Sequence, residues 1–226
     1  VINEKEKYSV IFIIMKEIKG TTWEDMQKSS REALSNLYER YSYLKDALNE
    51  RNKRKFEKIW FEEIDGNYDE ALNFLSKILE EHYNQKVIVL IDEYDAPLTM
   101  AYEYGFYDRA VVFFKGLYGA VLKTNSNLKM GVFIGAIRVA QAGIFSDLNN
   151  LKINTILNEA YDEYFGLLEL EVEEMLKYYA IEYKVEEVKS WYDGYRFGNS
   201  EVYNPWSILN YVDNKNLKAY WGKYIR

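Results

Sequence analysis

Three short stretches of the chain are apolar almost without interruption: Tyr8 to Met15, Val87 to Ile91 and Leu128 to Ile134. Runs of β-branched and aromatic residues with no polar alternation are how strands covered on both faces of a parallel sheet read. Between these runs the apolar positions recur every three or four residues. Trp23, Met26, Leu34, Leu37, Tyr41, Leu44 and Leu48 form one such stripe, broken only by Ser30. It predicts a long amphipathic helix packed on the sheet; a partner-binding coiled coil is the alternative. Thr22 is placed as its N-cap, with Asp25 three residues on.

Ala71, Leu72, Leu75, Ile78 and Leu79 mark a second helix over 68–83, reached through the turn Asp65-Gly66-Asn67. Helices are also predicted over 96–104, ended by Gly105, and over 107–123. Strands alternating with helices predict a parallel, doubly wound α/β sheet. After about Asn150 the texture changes. A short edge strand is expected at Ile153 to Leu157 and short acidic helices at Glu171 to Ala180 and Val185 to Trp191. Asn204-Pro205 is a helix start, with Asn as cap and Pro in the first turn. The predicted division is an α/β core over 1–158 and a helical lid over 159–226.

Composition narrows the functions. The 226 residues are 48% hydrophobic, enough for a substantial core, and carry a formal charge of −7. That charge opposes a broad electrostatic footprint for DNA or anionic lipid, although Arg51 to Lys58 is locally basic. Its expected role is a solvated helix face. There are no cysteines and a single histidine, His82, which excludes thiolate or multi-histidine metal sites. No run is long enough to span a bilayer and no signal peptide is visible, so a cytoplasmic setting without membrane contact is expected.

The chemistry concentrates behind the middle strand. Asp92 and Glu93 follow Val87 to Ile91 directly, at the carboxyl end where ligands bind in open α/β sheets. An apolar strand followed by Asp-Glu resembles the Walker B element of P-loop ATPases. Magnesium takes hard oxygen ligands, and a neighbouring carboxylate can orient or deprotonate water. The competing account is two acids at a helix start. Arg138 lies just past the third strand on the same edge, where a guanidinium can grip phosphate or form a structural ion pair.

Four pieces of the chain together resemble the bacterial AAA-ATPase-like proteins that carry an appended PD-(D/E)XK-nuclease-like domain. They are Val87-Ile-Val-Leu-Ile-Asp-Glu-Tyr-Asp-Ala-Pro-Leu98, the segment Gly135 to Leu151 beginning Gly-Ala-Ile-Arg, Trp191-Tyr-Asp-Gly-Tyr-Arg-Phe-Gly198 and Val202-Tyr-Asn-Pro-Trp-Ser-Ile-Leu-Asn-Tyr211. The resemblance implies a P-loop NTPase-like parallel sheet flanked by helices, with the Leu128 strand beside the Val87 strand. It implies ATP and Mg2+ as cofactors, Asp92 near magnesium, Glu93 activating water and Arg138 as a sensor that is both catalytic and nucleotide-contacting. Gln141 stands where the family has Lys, and Asp147 where it has Gly.

No G-x-x-x-x-G-K-S/T occurs in the 226 residues. That loop supplies backbone N–H groups, a phosphate Lys and a magnesium hydroxyl. The expectation is therefore an ATPase core whose first strand and phosphate loop lie upstream of Val1, inactive by itself, with a nucleotide as partner and homo-oligomerisation open. Nucleic acid is expected only through the appended nuclease-like domain. Two rivals remain: a non-catalytic protein-interaction scaffold derived from the ATPase fold, and a metal-dependent hydrolase using Asp92, Glu93 and Asp95.

Overall fold

The three apolar runs are parallel strands in the computed structural model, which describes residues 7–136, 143–145, 151–183 and 185–220. β1 spans Ser9–Ile14, β2 Val87–Asp92 and β3 Leu128–Phe133, in the order β1-β2-β3. The strand that carries the two acids is therefore central. Ile11 pairs with Val89 and Ile13 with Ile91 on one side of it; Val132 pairs with Leu90 and Phe133 with Ile91 on the other. β3 lies beside β2, as expected.

Three helices separate β1 from β2: α1 Trp23–Glu39, α2 Glu50–Trp60 and α3 Ala71–Tyr83. Two more, α4 Ala96–Glu103 and α5 Tyr107–Leu122, separate β2 from β3. The caps follow the sequence. Thr22 accepts the Asp25 N–H and donates its hydroxyl to the Asp25 carboxylate at 2.7 Å. Asn49 accepts from Asn52 N at the start of α2. The polar gap in the α1 stripe is filled: buried Ser30 donates to the Met26 carbonyl one turn back at 2.7 Å, so its hydroxyl is satisfied inside the helix.

The stripe from Trp23 to Leu48 is not one helix. α1 stops at Glu39, and residues 42–47 form a separate 3₁₀ segment that carries Leu44. The break has a tertiary cause. Arg40 donates to the Phe12 carbonyl at 3.0 Å and the Tyr41 hydroxyl to the Val10 carbonyl at 2.7 Å. Both side chains are drawn to the outer edge of β1, where ladder acceptors have no strand partner among the described residues.

The expectation that the strands are covered on both faces is also corrected. Ile11, Ile13, Val89 and Ile91 join one core with α1, α2, α3, α4 and α5. The alternate residues point the other way. Val10, Phe12 and Ile14 are 44%, 41% and 37% exposed, Met130 and Ile134 are also exposed, and Ile88 and Leu90 are half-buried. Among the described residues, the helices flank a single face of the sheet. This architecture is α/β and compatible with a P-loop-like fold.

The chain divides into two compact units, Val1–Leu151 and Lys152–Arg226. The second contains α6 Glu169–Tyr178, α7 Val185–Tyr192, the antiparallel hairpin β4 Asp193–Phe197 with β5 Ser200–Tyr203, and α8 Pro205–Asn214. The hairpin corrects the expectation of a purely helical unit. The second glycine of Asp193-Gly194-Tyr195-Arg196-Phe197-Gly198 has a structural reason: Gly198 has a φ of +50° in the turn, where a side chain is strained. The expected edge strand at Ile153 to Leu157 does not form; those residues are irregular or turn. Tyr192 packs against Tyr211 and Tyr220, with ring centroids 5.6 and 6.1 Å apart, at the centre of this unit's core. Asn204 caps α8 by accepting from Ser207 N, as its Asn-Pro start predicts. Among the described residues, no helix is long and apolar enough to cross a membrane.

Candidate functional site

Asp92 is the last residue of β2 and pairs in register with Ile14. It follows the parity of Ile88 and Leu90, so it stands on the face without helices. The strand then breaks sharply. Glu93 has φ +50°, in the left-handed region that a non-glycine residue seldom adopts. Such a conformation costs on the order of 1–3 kcal/mol and persists only where the surroundings impose it.

Those surroundings are visible. The Glu93 N–H donates to Asp92 Oδ1 at 2.9 Å, and the Glu93 carbonyl accepts from Ala96 N at 3.0 Å. The next residue is stitched to the neighbouring strand: Tyr94 N donates to the Ile134 carbonyl, and Ile134 N to the Ile91 carbonyl. The bend turns the two acids toward the strand end and the two residues behind them inward.

The Glu93 carboxylate meets a cation. Lys16 Nζ lies 3.1 Å from Glu93 Oε1. Lys16 belongs to the 3₁₀ turn Met15–Glu17 that follows β1, so two adjacent strand ends deliver the pair. Both side chains are solvent-accessible, so their attraction is screened and adds little to stability. Sequence reasoning did not single out Lys16. The signal was present: it stands just past a strand's carboxyl end, like Asp92.

Tyr94 and Asp95 are buried on the helix side. The Tyr94 backbone carbonyl accepts from the Tyr118 hydroxyl at 3.0 Å. Burial pushes the Tyr118 hydroxyl well above its ordinary pKa, and the Asp95 charge adds to the shift. The rings of Tyr94, Tyr118, Phe133 and Phe145 meet edge-on and stacked, with centroids 5.3 to 6.4 Å apart, as a pad beneath the strand ends. Gly135 completes the packing. A Cβ there would collide with Asp95 Oδ1 and the Tyr94 ring, so only glycine permits this approach.

The three acids of Asp92-Glu93-Tyr94-Asp95 therefore diverge. Asp92 holds the turn, Glu93 meets Lys16, and Asp95 is buried against Gly135. Among the described residues no three His, Asp or Glu side chains cluster as a metal cage. The donor set does fit an ion held by one carboxylate together with substrate phosphates, the usual arrangement for magnesium. Asp92 keeps oxygen lone pairs beyond the one its neighbour's N–H occupies. Arg138, Gln141 and Asp147 lie outside the described residues.

With this geometry in hand, the comparisons decide the family. A family model described as predicted AAA-ATPase matches residues 1–145. The chain belongs to the AAA-ATPase-like family. The match contains β1, β2, β3 and both candidate acids. The chain is also similar to a protein of Azotobacter chroococcum mcd 1 described as "Uncharacterized protein in vnfD 5'region", 25% identical over 138 residues. The aligned segment covers 61% of this chain and 27% of that protein, so the chain spans about a quarter of the relative's length. No solved structure matches the chain. The family membership supports an ATPase-like domain, and it gives the Asp92–Glu93 strand end a chemical context.

Proposed function

We propose that the α/β unit of this AAA-ATPase-like chain is the magnesium-dependent ATP site of a P-loop ATPase, with Asp92 and Glu93 as its Walker B pair. The observation that carries the reading is the placement of these consecutive acids at the carboxyl end of the central parallel strand, with the second forced into a left-handed bend. In open α/β sheets this edge receives the ligand.

Asp92 offers a carboxylate oxygen to magnesium, directly or through water. The ion, when bound, neutralises charge on the phosphate oxygens. Glu93 orients a water and accepts its proton at Oε. For that, its carboxylate must be released from Lys16 or share it with the phosphates. Arg138 is assigned to the charge developing on the transferred phosphoryl group. The cradle of backbone N–H groups and the phosphate Lys must come from a glycine-rich loop, which the 226 residues do not contain. The reading thus assigns turnover to a longer protein carrying that loop, and an appended nuclease-like domain remains part of the proposal. The setting proposed is cytoplasmic, and association of several copies is compatible with the reading.

The test is made in a protein that joins a phosphate-binding loop to this chain. Glu93→Gln keeps the shape but removes the base, so turnover should fall about 10²–10⁴-fold with ATP affinity nearly unchanged. Asp92→Asn should weaken magnesium-dependent ATP binding as well. If Glu93→Gln hydrolyses ATP as the parent does, Glu93 is not the base. If the parent binds no nucleotide, the scaffold reading replaces the ATPase. That second reading is favoured by the absent loop, by Gln141 where the family has Lys, and by Lys16, which occupies the Glu93 carboxylate.

A further inference from the structure

A concavity lies between α2 and the first half of α3. It consists of two adjoining cavities of about 720 and 500 Å3 that share Lys55, Asn67, Glu70 and Phe74, and so form one groove. The far end reaches the turn at residues 124–127, which feeds the amino end of β3. Asp92 and Glu93 stand at the carboxyl end of β2, so the groove belongs to a different part of the unit.

Its lining is cationic for this protein. Six Lys and Arg face four Asp and Glu, an excess of two in a chain of formal charge −7. Two of the cations are paired, Lys58 with Asp65 and Lys77 with Glu81. Arg51, Lys53, Arg54 and Lys55 make no ion pair among the described residues. Lys55 instead lies over the Phe74 ring, 5.8 Å from its centroid. An uncompensated row of cations costs stability through self-repulsion, which an anionic occupant would relieve.

The rest of the lining is polar in a particular way. Five asparagines border the groove. Asn125 commits its amide to Ser76, the Val121 carbonyl and Asn127 N, and Asn73 donates to Glu70, whereas the side-chain amides of Asn52, Asn67 and Asn127 make no hydrogen bond among the described residues. Amides both donate and accept, which suits base edges and sugar hydroxyls. Phe74 and Ile59 are the sole apolar residues among those lining it. A protein partner docks through buried aromatic and aliphatic anchors, and this groove has little to receive them.

We propose that the α2–α3 groove binds a single-stranded nucleic acid, with Arg51 and Lys55, about 6 Å apart along the helix, on phosphates two nucleotides apart and the amides of Asn52, Asn67 and Asn127 facing the bases. Arg51 to Lys58 spans about 10 Å of helix at 1.5 Å per residue, the length of roughly three nucleotides at ~3.4 Å each. This contact is made by the chain itself, independently of its ATPase reading and of any appended nuclease-like domain.

The test uses the 226-residue chain, a labelled 12-nucleotide oligodeoxynucleotide and fluorescence anisotropy between 50 and 200 mM salt. Binding should weaken with salt. R51E/K55E should lower affinity at least tenfold and flatten the log–log salt slope by about 1.4, two phosphates at ~0.7 each. The milder R51A/K55A should move both readouts in the same direction, and circular dichroism reports that each variant is folded. K28E/K152E changes the charge equally outside the groove and should alter affinity less than threefold. No binding at 50 mM salt overturns the proposal, as does equal loss in the two charge-reversed doubles. Displacement of the oligonucleotide by an equal concentration of a glutamate-rich peptide overturns it too, because the groove would then bind polyanions generally.

Discussion

The two faces of the sheet are built from the same kinds of residue and behave differently. Ile11, Ile13, Val89 and Ile91 are buried under the helices, whereas Val10, Phe12, Ile14 and Met130 on the opposite face are exposed. The same division continues past the end of β2. Asp92 emerges on the open face and Glu93 is turned to Lys16, while Tyr94 and Asp95 fold back into the helix side. Stability is concentrated on one face and the candidate chemistry on the other. Strand alternation produces this separation, because consecutive side chains leave a strand in opposite directions. It lets the candidate carboxylates stay accessible at the end of a strand whose other face anchors the core.

The strongest test of this contrast is truncation on each face. Ile91→Ala in the 226-residue chain should cost about 2–5 kcal/mol, the range for a large-to-small change in a packed core. Phe12→Ala should cost under about 1 kcal/mol, since its ring is already partly in water. Urea denaturation of both variants measures the difference. Equal losses would mean that something covers both faces, and the contrast would fall.

A smaller effect is expected where the covered face supports the site. Tyr118→Phe removes the donor to the Tyr94 carbonyl and should cost about 1–3 kcal/mol, because a buried acceptor is left unsatisfied. It should also change the response to alkali. Burial raises the folded-state pKa of Tyr118, and of Tyr38, above the ordinary 10.0. The folded chain therefore holds those protons more tightly than the unfolded chain. Their contribution is fully present below about pH 10 and is lost as pH rises above it. Stability of the parent should fall along that alkaline limb, and Tyr118→Phe should make the fall less steep. An unchanged limb would show that Tyr118 ionises as readily folded as unfolded.

The smallest change belongs to the open face. Lys16→Ala breaks the ion pair with Glu93 but should shift stability by less than about 0.5 kcal/mol, as screened surface pairs do. A thermal scan should move by no more than about 2 °C. A loss of several kcal/mol would show that the pair holds the Glu93 bend together, and that its role is structural.

Much of this was legible in the chain. The strands at β1, β2 and β3 were visible because short, nearly continuous apolar runs have few other places to go. Thr22, Asn204 and Gly105 marked helix ends through local chemistry that needs no tertiary partner. Asp92 and Glu93 were visible because charge directly after an apolar run is costly unless the strand ends there.

Other features depended on distant residues. Nothing near Arg40 or Tyr41 in sequence ends α1; the carbonyls of Val10 and Phe12 do. The apolar run of β2 is the same whether one face or two are covered, so its burial pattern could not be read from the run. The hairpin β4–β5 was obscured by aromatic residues that suit a helical core equally well. Lys16 is one lysine among many until β1 and β2 pair in register and bring it to Glu93. Sequence alone determined the elements and the acids at a strand end, because those rest on local backbone chemistry. Which face stays open, and which cation meets the acid, were decided by tertiary structure, because they are set by pairing between strands more than seventy residues apart.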